Sequence, residues 1–401
     1  MKIGILATDF INWGGGIDFL RMVIDSLLVA ERSENTEFHL LIPDFGPRLA
    51  WRKFRRQTKR NVRSFFSGKR VAEENTPESA IIAHAFSEFQ GRIRIQHIDI
   101  GRGALSRAAK RLKLDVVLPA VHSLGVGFPR PWVAYAYDFQ HKYLPQHFTP
   151  DSCRSRDEHF ADLLTQARAV IVNSRAAAED IAKFVPQGTA RVFALPFAPA
   201  PNPDWLEDGP DILPRYGVAA PFFIISNQFW AHKDHATAFE AFRLVAAENA
   251  QVTLVCTGST LGSRDPEHVP QLLARLKSWG LEQRVSILGL IPKRDQIELM
   301  KNACAVIQPT LFEGGPGGGA VYDAVSLGLP AIISDIAVNR EITDRGIVFF
   351  PAGDAMALAG HMKAALAAPR NRASASELVA MGKRRRVECG EWLWRAIDAV
   401  V

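Results

Sequence analysis

Cysteine is scarce: Cys153, Cys256, Cys304 and Cys389 are the only four in 401 residues, and no Cys-x-x-Cys pair occurs. That excludes a disulfide scaffold and a thiolate zinc site, and the four read as reduced thiols. No run approaches eighteen uninterrupted apolar residues, so no membrane-spanning helix is coded. The opening MKIGILATDF is too short and too strand-like for a secretory leader, and a cytoplasmic chain is expected. Asp-x-Asp, a spacing suited to holding a divalent metal, is absent, as are internal repeats and low-complexity tracts.

Acid is missing from one region. Between Arg48 and Arg70 stand ten Lys or Arg and no Asp or Glu, against a net charge of +6, so the remainder of the chain is net acidic. Within that segment Trp51, Phe54, Thr58, Val62 and Phe65 recur at helical spacing opposite the cations. Two readings stay open: a basic helix lying on an anionic membrane surface, or a surface helix packed by its aromatic face on its own domain. No nucleic-acid module surrounds the patch, which makes RNA the poorer reading and nucleic acid an unexpected partner. If the segment binds membrane, the protein sits peripherally on the inner face of the cell membrane.

What is present is the composition of a globular protein, 47% hydrophobic and 22% charged, in a chain too long for one core. Short apolar runs alternate with helical patterns: KIGILAT (2–8), FHLLIP (38–43), DVVLPA (115–120), WVAYAYD (132–138) and AVIVNS (169–174). A second set comprises PFFIIS (221–226), VTLVCTG (252–258), RVSILGL (284–290), CAVIQPT (304–310), PAIIS (330–334) and GIVFF (346–350). Alternation of this kind predicts α/β architecture with parallel sheets. Between the sets, residues 196–214 hold six prolines and read as a linker. The expected organisation is two doubly wound, Rossmann-like domains facing a cleft: residues 1–198, residues 199–385, and a closing helix at 386–401 returning toward the first.

One stretch carries chemistry on its face. LFEGGPGGGAVYDAVSLGLP (311–330) places Glu313, five glycines broken only by Pro316, and Asp323 between an apolar strand and a short helix. Strand, glycine loop and helix N-terminus together make an anion site, because first-turn amides and the helix dipole suit a phosphate. A tight strand-to-helix turn without ligand is the plainer alternative.

The longer string RVSILGLIPKRDQIELMKNACAVIQPTLFEGGPGGGAVYDAVSLGLPAIISDIAVNREI (284–342) resembles the donor-binding half of retaining glycosyltransferases of the GT-B fold, in the large family 4. NWGGGIDFL (12–20) resembles that family's N-terminal glycine loop, VNSRAAAEDI (172–181) the segment closing its first domain, and SNQFWAHKDH (226–235) its phosphate-contacting loop. The resemblance implies a hexosyltransferase whose donor, a GDP- or UDP-sugar, is a substrate, with no cofactor and no metal. It implies a glycan or lipid-linked acceptor, as in surface polysaccharide assembly. Lys233 would contact the diphosphate, with Asn227 and Gln228 in the same loop, and the amides of Gly317, Gly318 and Gly319, with Gly15 and Gly16 opposite, would complete a cradle. Glu313 would meet hydroxyls of the transferred sugar, and Asp323 the ribose diol.

Departures from the family pattern are specific. The two acids are separated by nine residues instead of seven, the second is Asp rather than Glu, and Gln228 stands where the family usually has Arg. The extra glycines are expected to let the longer loop fold against the diphosphate. In the first domain His122 follows a strand and is a candidate for touching the sugar, while Asp138 and His141 resemble the family's acceptor-side residues, with Tyr137-Asp138 replacing its His-Asp. No protein base is obligatory in the family's same-face substitution. Two other functions remain open, a nucleotide-sugar epimerase of the same fold and a nucleotide-sugar-binding protein without transfer.

Overall fold

Aliphatic and β-branched runs bounded by turn residues build the strands, and the helical stretches between them carry the chain back across the sheet faces. The computed structural model describes residues 1–11, 15–44, 85–99, 103–207, 209–261, 265–368 and 373–401. The cation-rich segment 48–70 and positions 12–14 of the N-terminal glycine loop lie outside the described residues.

The first half contains Lys2–Leu6 (β1), Gly16–Val29 (α1), Glu37–Asp44 (β2), Arg94–Asp99 (β3), Ala104–Arg111 (α2), Val116–Ala120 (β4), Trp132–Tyr135 (β5) and Gln140–Tyr143 (α3). Pro150–Gln166 (α4), Ala169–Val172 (β6), Arg175–Phe184 (α5) and Arg191–Ala194 (β7) complete it. Its seven strands are parallel in the order β3-β2-β1-β4-β5-β6-β7. Alternate strand residues feed two apolar clusters. Ile3, Ile5 and Val133 join α1 through Leu20 and Val23, whereas Leu6, Val117 and Val170 join α4 through Phe160 and Leu163. Two strands had no counterpart in the apolar runs of the sequence, β3 and β7, and both are sheet edges.

From β7 to β8 the described residues form only two 3₁₀ turns, Pro203–Trp205 and Pro214–Tyr216. The second sheet follows with Phe222–Ser226 (β8), His235–Glu248 (α6), Thr253–Thr257 (β9), His268–Ser278 (α7), Val285–Gly289 (β10) and Lys293–Asn302 (α8). Val306–Gln308 (β11), Gly318–Ser326 (α9), Ala331–Ser334 (β12), Ile347–Phe350 (β13) and Ala355–Ala367 (α10) end it, in the parallel order β10-β9-β8-β11-β12-β13. Each sheet therefore reverses its winding once, at β1/β4 and at β8/β11. In such sheets ligands bind outside the carboxyl ends of the strands at the reversal.

The last helix, Ala375–Asp398 (α11), starts with a full capping box between Ser374 and Glu377 and passes residue 385 without a break. It packs on α1, burying Leu393 and Ile397 in the first domain's core. Gly390 permits this approach: a Cβ there would stand 2.2 Å from the carbonyl oxygen of Ser26. No described helix is long and apolar enough to cross a membrane.

Candidate active site

At the second reversal point the loop after β8 is tied to the end of β11. The carbonyl of His232 accepts hydrogen bonds from the Thr310 hydroxyl (3.1 Å) and the Leu311 amide (2.7 Å). Asp234, in the left-handed region at φ 49°, caps α6 by accepting from Thr237, which stops the loop just past Lys233. Lys233 Nζ consequently lies 2.5 Å from Glu313 Oε1, both side chains being nearly buried. Gln308, fully buried in β11, donates to the same carboxylate at 2.9 Å and accepts from Asn227. Glu313 is thus held by one cation and one amide. Gln308 was not among the residues expected from sequence, since a polar residue inside an apolar strand is visible only as an exception to the pattern. The Gln228 side chain makes no hydrogen bond or ion pair among the described residues, and Lys233 brings the cation from the same loop to this carboxylate.

The glycine loop divides into two working parts. Gly317 and Gly318 both take positive φ, 67° and 58°, and a Cβ on Gly318 would come within 3.2 Å of the Glu313 carboxylate, so this glycine lets the acid sit over the start of α9. The Gly317 amide, however, donates to Asn339 Oδ1 at 2.8 Å in a buried bond. That corrects its expected role: the amide is committed to the protein, leaving Gly318 and exposed Gly319 for a ligand. Gly314 and Gly315 correct a second expectation. A Cβ on Gly314 would stand 2.5 Å from the Tyr137 carbonyl oxygen, and one on Gly315 would stand 2.9 Å from Asn173 Cβ. These two glycines are small because the first domain's strand ends press on them, not because a phosphate must.

Asp323, on α9, is buried and paired with Lys293 Nζ at the start of α8. Burial outweighs the cation and pushes the carboxyl up to about 6, with Asp18 in the first turn of α1 adding to the rise. Asp18 stands in the first turn of α1, the helix that the N-terminal glycine loop leads into. Gly16 serves the turn leading there, since a Cβ would be 2.2 Å from the Phe10 carbonyl oxygen, and Gly15 caps the helix without a side chain. Lys293 was missed in the sequence, although a lysine in a helix's first turn opposes the dipole and so signals a reason from outside the helix, here the Asp323 carboxylate.

The first domain separates its three candidates. His122, after β4, is 67% exposed, with Nε2 3.9 Å from Asp9 Oδ1. Asp138, after β5, accepts from Arg156 at 2.6 Å and from the Gln140 amide at 2.9 Å, and its Cβ faces Gly314. His141 is a correction: its side chain is buried, with Nε2 2.8 Å from Asp157 and Nδ1 accepting from Arg156 Nε at 3.1 Å. Its ring packs against Phe148 and Phe160. It braces the turn and does not meet an acceptor. The unexpected residue is Arg156 of α4, which also donates to the Asp138 carbonyl and the Tyr137 hydroxyl. A further strut crosses between the domains where both oxygens of Glu341 accept from the first amides of α5, those of Arg175 and Ala176, at 3.0 Å each.

Comparison with known proteins agrees with this geometry. Residues 218–380 match the family model described as glycosyl transferases group 1. No curated protein matches the chain. Among solved structures, Anabaena HepE in complex with UDP and glucose is similar at 17% identity with a TM-score of 0.63, covering 99% of both chains. HepE in complex with UDP-glucose gives 16% and 0.59 over 100% of this chain and 97% of that one. Sucrose-phosphate synthase from Thermosynechococcus elongatus gives 15% and 0.61 over 99% and 97%. With two parallel sheets meeting at a cleft and whole-chain likeness to these solved structures, the chain has the GT-B fold, and the match to the glycosyl transferases group 1 model spans its second sheet.

Proposed function

We propose that the protein transfers a hexose, with retention at the anomeric carbon, from a uridine or guanosine diphosphate sugar to an acceptor held by the first domain. The carrying observation is the Lys233–Glu313 pair, a cation and a carboxylate 2.5 Å apart at the reversal point of the sheet that the group 1 model spans. HepE has been solved with UDP and with UDP-glucose, which favours uridine as the base.

Cleaving the sugar–diphosphate bond builds negative charge on the leaving group and positive charge on the ring. Lys233 exchanges its bond to Glu313 for the diphosphate, helped by the amides of Gly318 and Gly319 at the start of α9 and by Gly15 and Gly16 opposite. Glu313, still held by Gln308, takes the sugar hydroxyls. Asp323 accepts the ribose diol, with Lys293 keeping it ionised. The acceptor proton passes to the leaving phosphate, so His122 and Asp138 orient the acceptor instead of deprotonating it. The positive charge comes from lysine and helix amides, and the reaction is metal-independent. Localisation is cytoplasmic, on the membrane's inner face if segment 48–70 docks there, in the assembly of surface polysaccharide.

The test is turnover of UDP-glucose and GDP-mannose by the purified protein with and without EDTA. Lys233→Ala should lower it roughly a hundredfold, the scale for one transition-state donor. Binding of UDP without turnover of any nucleotide sugar would instead establish a binder, a reading favoured by the neutralisation of Lys233 and the Gln at 228. Near wild-type turnover in Lys233→Ala would refute the site.

A further inference from the structure

The loop from β4 to β5 contains no helix and returns along the sheet to the amino end of β5, the end away from the cleft. There, with the end of α4 and the start of β6, it forms a cavity of about 300 Å³. Phe128, Pro129, Pro131 and Trp132 give it stiff apolar walls, and Arg130 and Arg168 bring two cations. Neither guanidinium makes a hydrogen bond or an ion pair among the described residues, and no described Asp or Glu lines the cavity. Arg130 is half-buried, with its Nε shielded from water and without an acceptor. The walls are fixed in advance. Gly125, at φ 78°, turns the loop so that the Val126 amide donates to Gln166 Oε1 at 3.2 Å, while Gln166 Nε2 donates to Asp162 at 3.1 Å. The Pro131 carbonyl accepts from the Val117 amide at 3.1 Å. At the end of α4 the carbonyls of Leu163 and Leu164 are taken by the amides of Ala167, Thr189 and Ala190, at 3.0 Å each.

We infer that this cavity is a second ligand site, separate from the donor site, and that it takes a small ring-bearing oxyanion such as an aryl phosphate. A guanidinium half withdrawn from water with no carboxylate beside it costs the folded chain free energy, which an anionic oxygen offsets. Guanidinium forks suit an oxyanion that offers two oxygens at once. The aromatic and proline walls suit a flat apolar body, and Val126, 91% exposed, is an apolar side chain that such a body shields. The volume lies at the small end of ligand pockets, which fits a single ring with its acid and is too little for a nucleotide sugar. None of the donor-binding residues lines it.

The experiment is calorimetry at low salt on the full chain, with phenyl phosphate, inorganic phosphate and phenol as probes. Phenyl phosphate should bind at millimolar concentration with one site per chain, roughly tenfold tighter than either fragment, because only it meets both the cations and the apolar walls. Arg130→Gln and Arg168→Gln should each weaken it tenfold or more, the worth of a charge-assisted hydrogen bond. Lys233→Ala, which alters the donor site, should leave it unchanged. Arg168 is exposed, so Arg168→Gln with wild-type thermal unfolding decides the matter even where Arg130→Gln destabilises the fold. No binding of phenyl phosphate at millimolar concentration overturns the inference, as does phenol binding equally well. Affinity that falls in Lys233→Ala but in neither arginine variant also overturns it, by placing the phosphate in the donor cradle.

Discussion

Replacing Asp323 by Asn should make the protein more stable and a worse binder, and the structure sets the size of both effects. The carboxyl is buried and pushed from 3.8 up to about 6 by desolvation, which Lys293 only partly offsets. Below pH 3.8 the acid is protonated in both folded and unfolded chains and contributes nothing. Between 3.8 and about 6 the unfolded chain ionises first, so stability falls as pH rises, and above 6 the full penalty remains. Two pKa units correspond to about 3 kcal/mol. Asn keeps the size and a hydrogen-bonding group, and Lys293, partly exposed, can be solvated once released. Urea unfolding of wild type and Asp323→Asn from pH 4 to 8 should therefore give curves that diverge with rising pH, the variant gaining up to about 3 kcal/mol at pH 7.5. Calorimetry with UDP should show the opposite sign, a loss of about 1.5–3 kcal/mol, the worth of hydrogen bonds to a charged group. A stability difference that does not change between pH 4 and 7 would refute the buried, ionised carboxylate. Undiminished UDP affinity would remove the diol from Asp323.

Three further outcomes can be checked. Glu313→Gln should abolish most transfer yet tighten UDP by roughly fivefold, because Lys233 is no longer held by a carboxylate; weaker UDP binding would put Glu313 on the nucleotide. Gly314→Ala places a Cβ 2.5 Å from the Tyr137 carbonyl oxygen, so the domains cannot meet as they do, and turnover should fall roughly a hundredfold with UDP affinity nearly unchanged; full activity would show that this approach is dispensable. His141→Ala should cost about 2–4 kcal/mol in urea unfolding by opening a cavity and stranding Arg156 and Asp157, and should spare UDP affinity; an activity loss without a stability loss would return His141 to the acceptor side.

Central strands were legible because a parallel strand covered on both faces is an uninterrupted apolar run, as in VVLPA of β4 and AVIV of β6, where every residue is buried. The edges were not. RIQHID of β3 is half exposed with only Ile98 buried, and RVFA of β7 buries only Phe193, so neither carries the hydrophobic signal of a core strand. In the site, Lys233, Glu313 and Asp323 could be read from local strings, because each lies in the loop or helix that follows its strand. Their partners could not. Gln308 reports its role only through a side chain turned toward Glu313, Lys293 reaches Asp323 from a different helix, and Arg156 acts on a turn that precedes it by more than a dozen residues. His141 misled because a histidine six positions after a strand end looks the same in sequence whether it faces the cleft or the core.

The lengthened acid spacing has a physical reason in the other domain. A loop leaving β11 must pass Glu313, reach the ends of β5 and β6, and return to start α9 under the same carboxylate. Gly314 and Gly315 occupy the far point of that excursion, where backbone meets Tyr137 and Asn173 too closely for any side chain. Gly317 and Gly318 then turn the chain back through two consecutive left-handed residues, a conformation that side chains resist. Glu341 anchors the same edge by capping α5 from the second domain, so the loop does not bear the contact alone. Because Gly318 lies under Glu313 and Gly314 lies against Tyr137, a shift of the domains along this edge is transmitted through four residues to the carboxylate that pairs with Lys233. The length of the loop is thus set by the distance to the opposite sheet, and its composition by the closeness of the two backbones there.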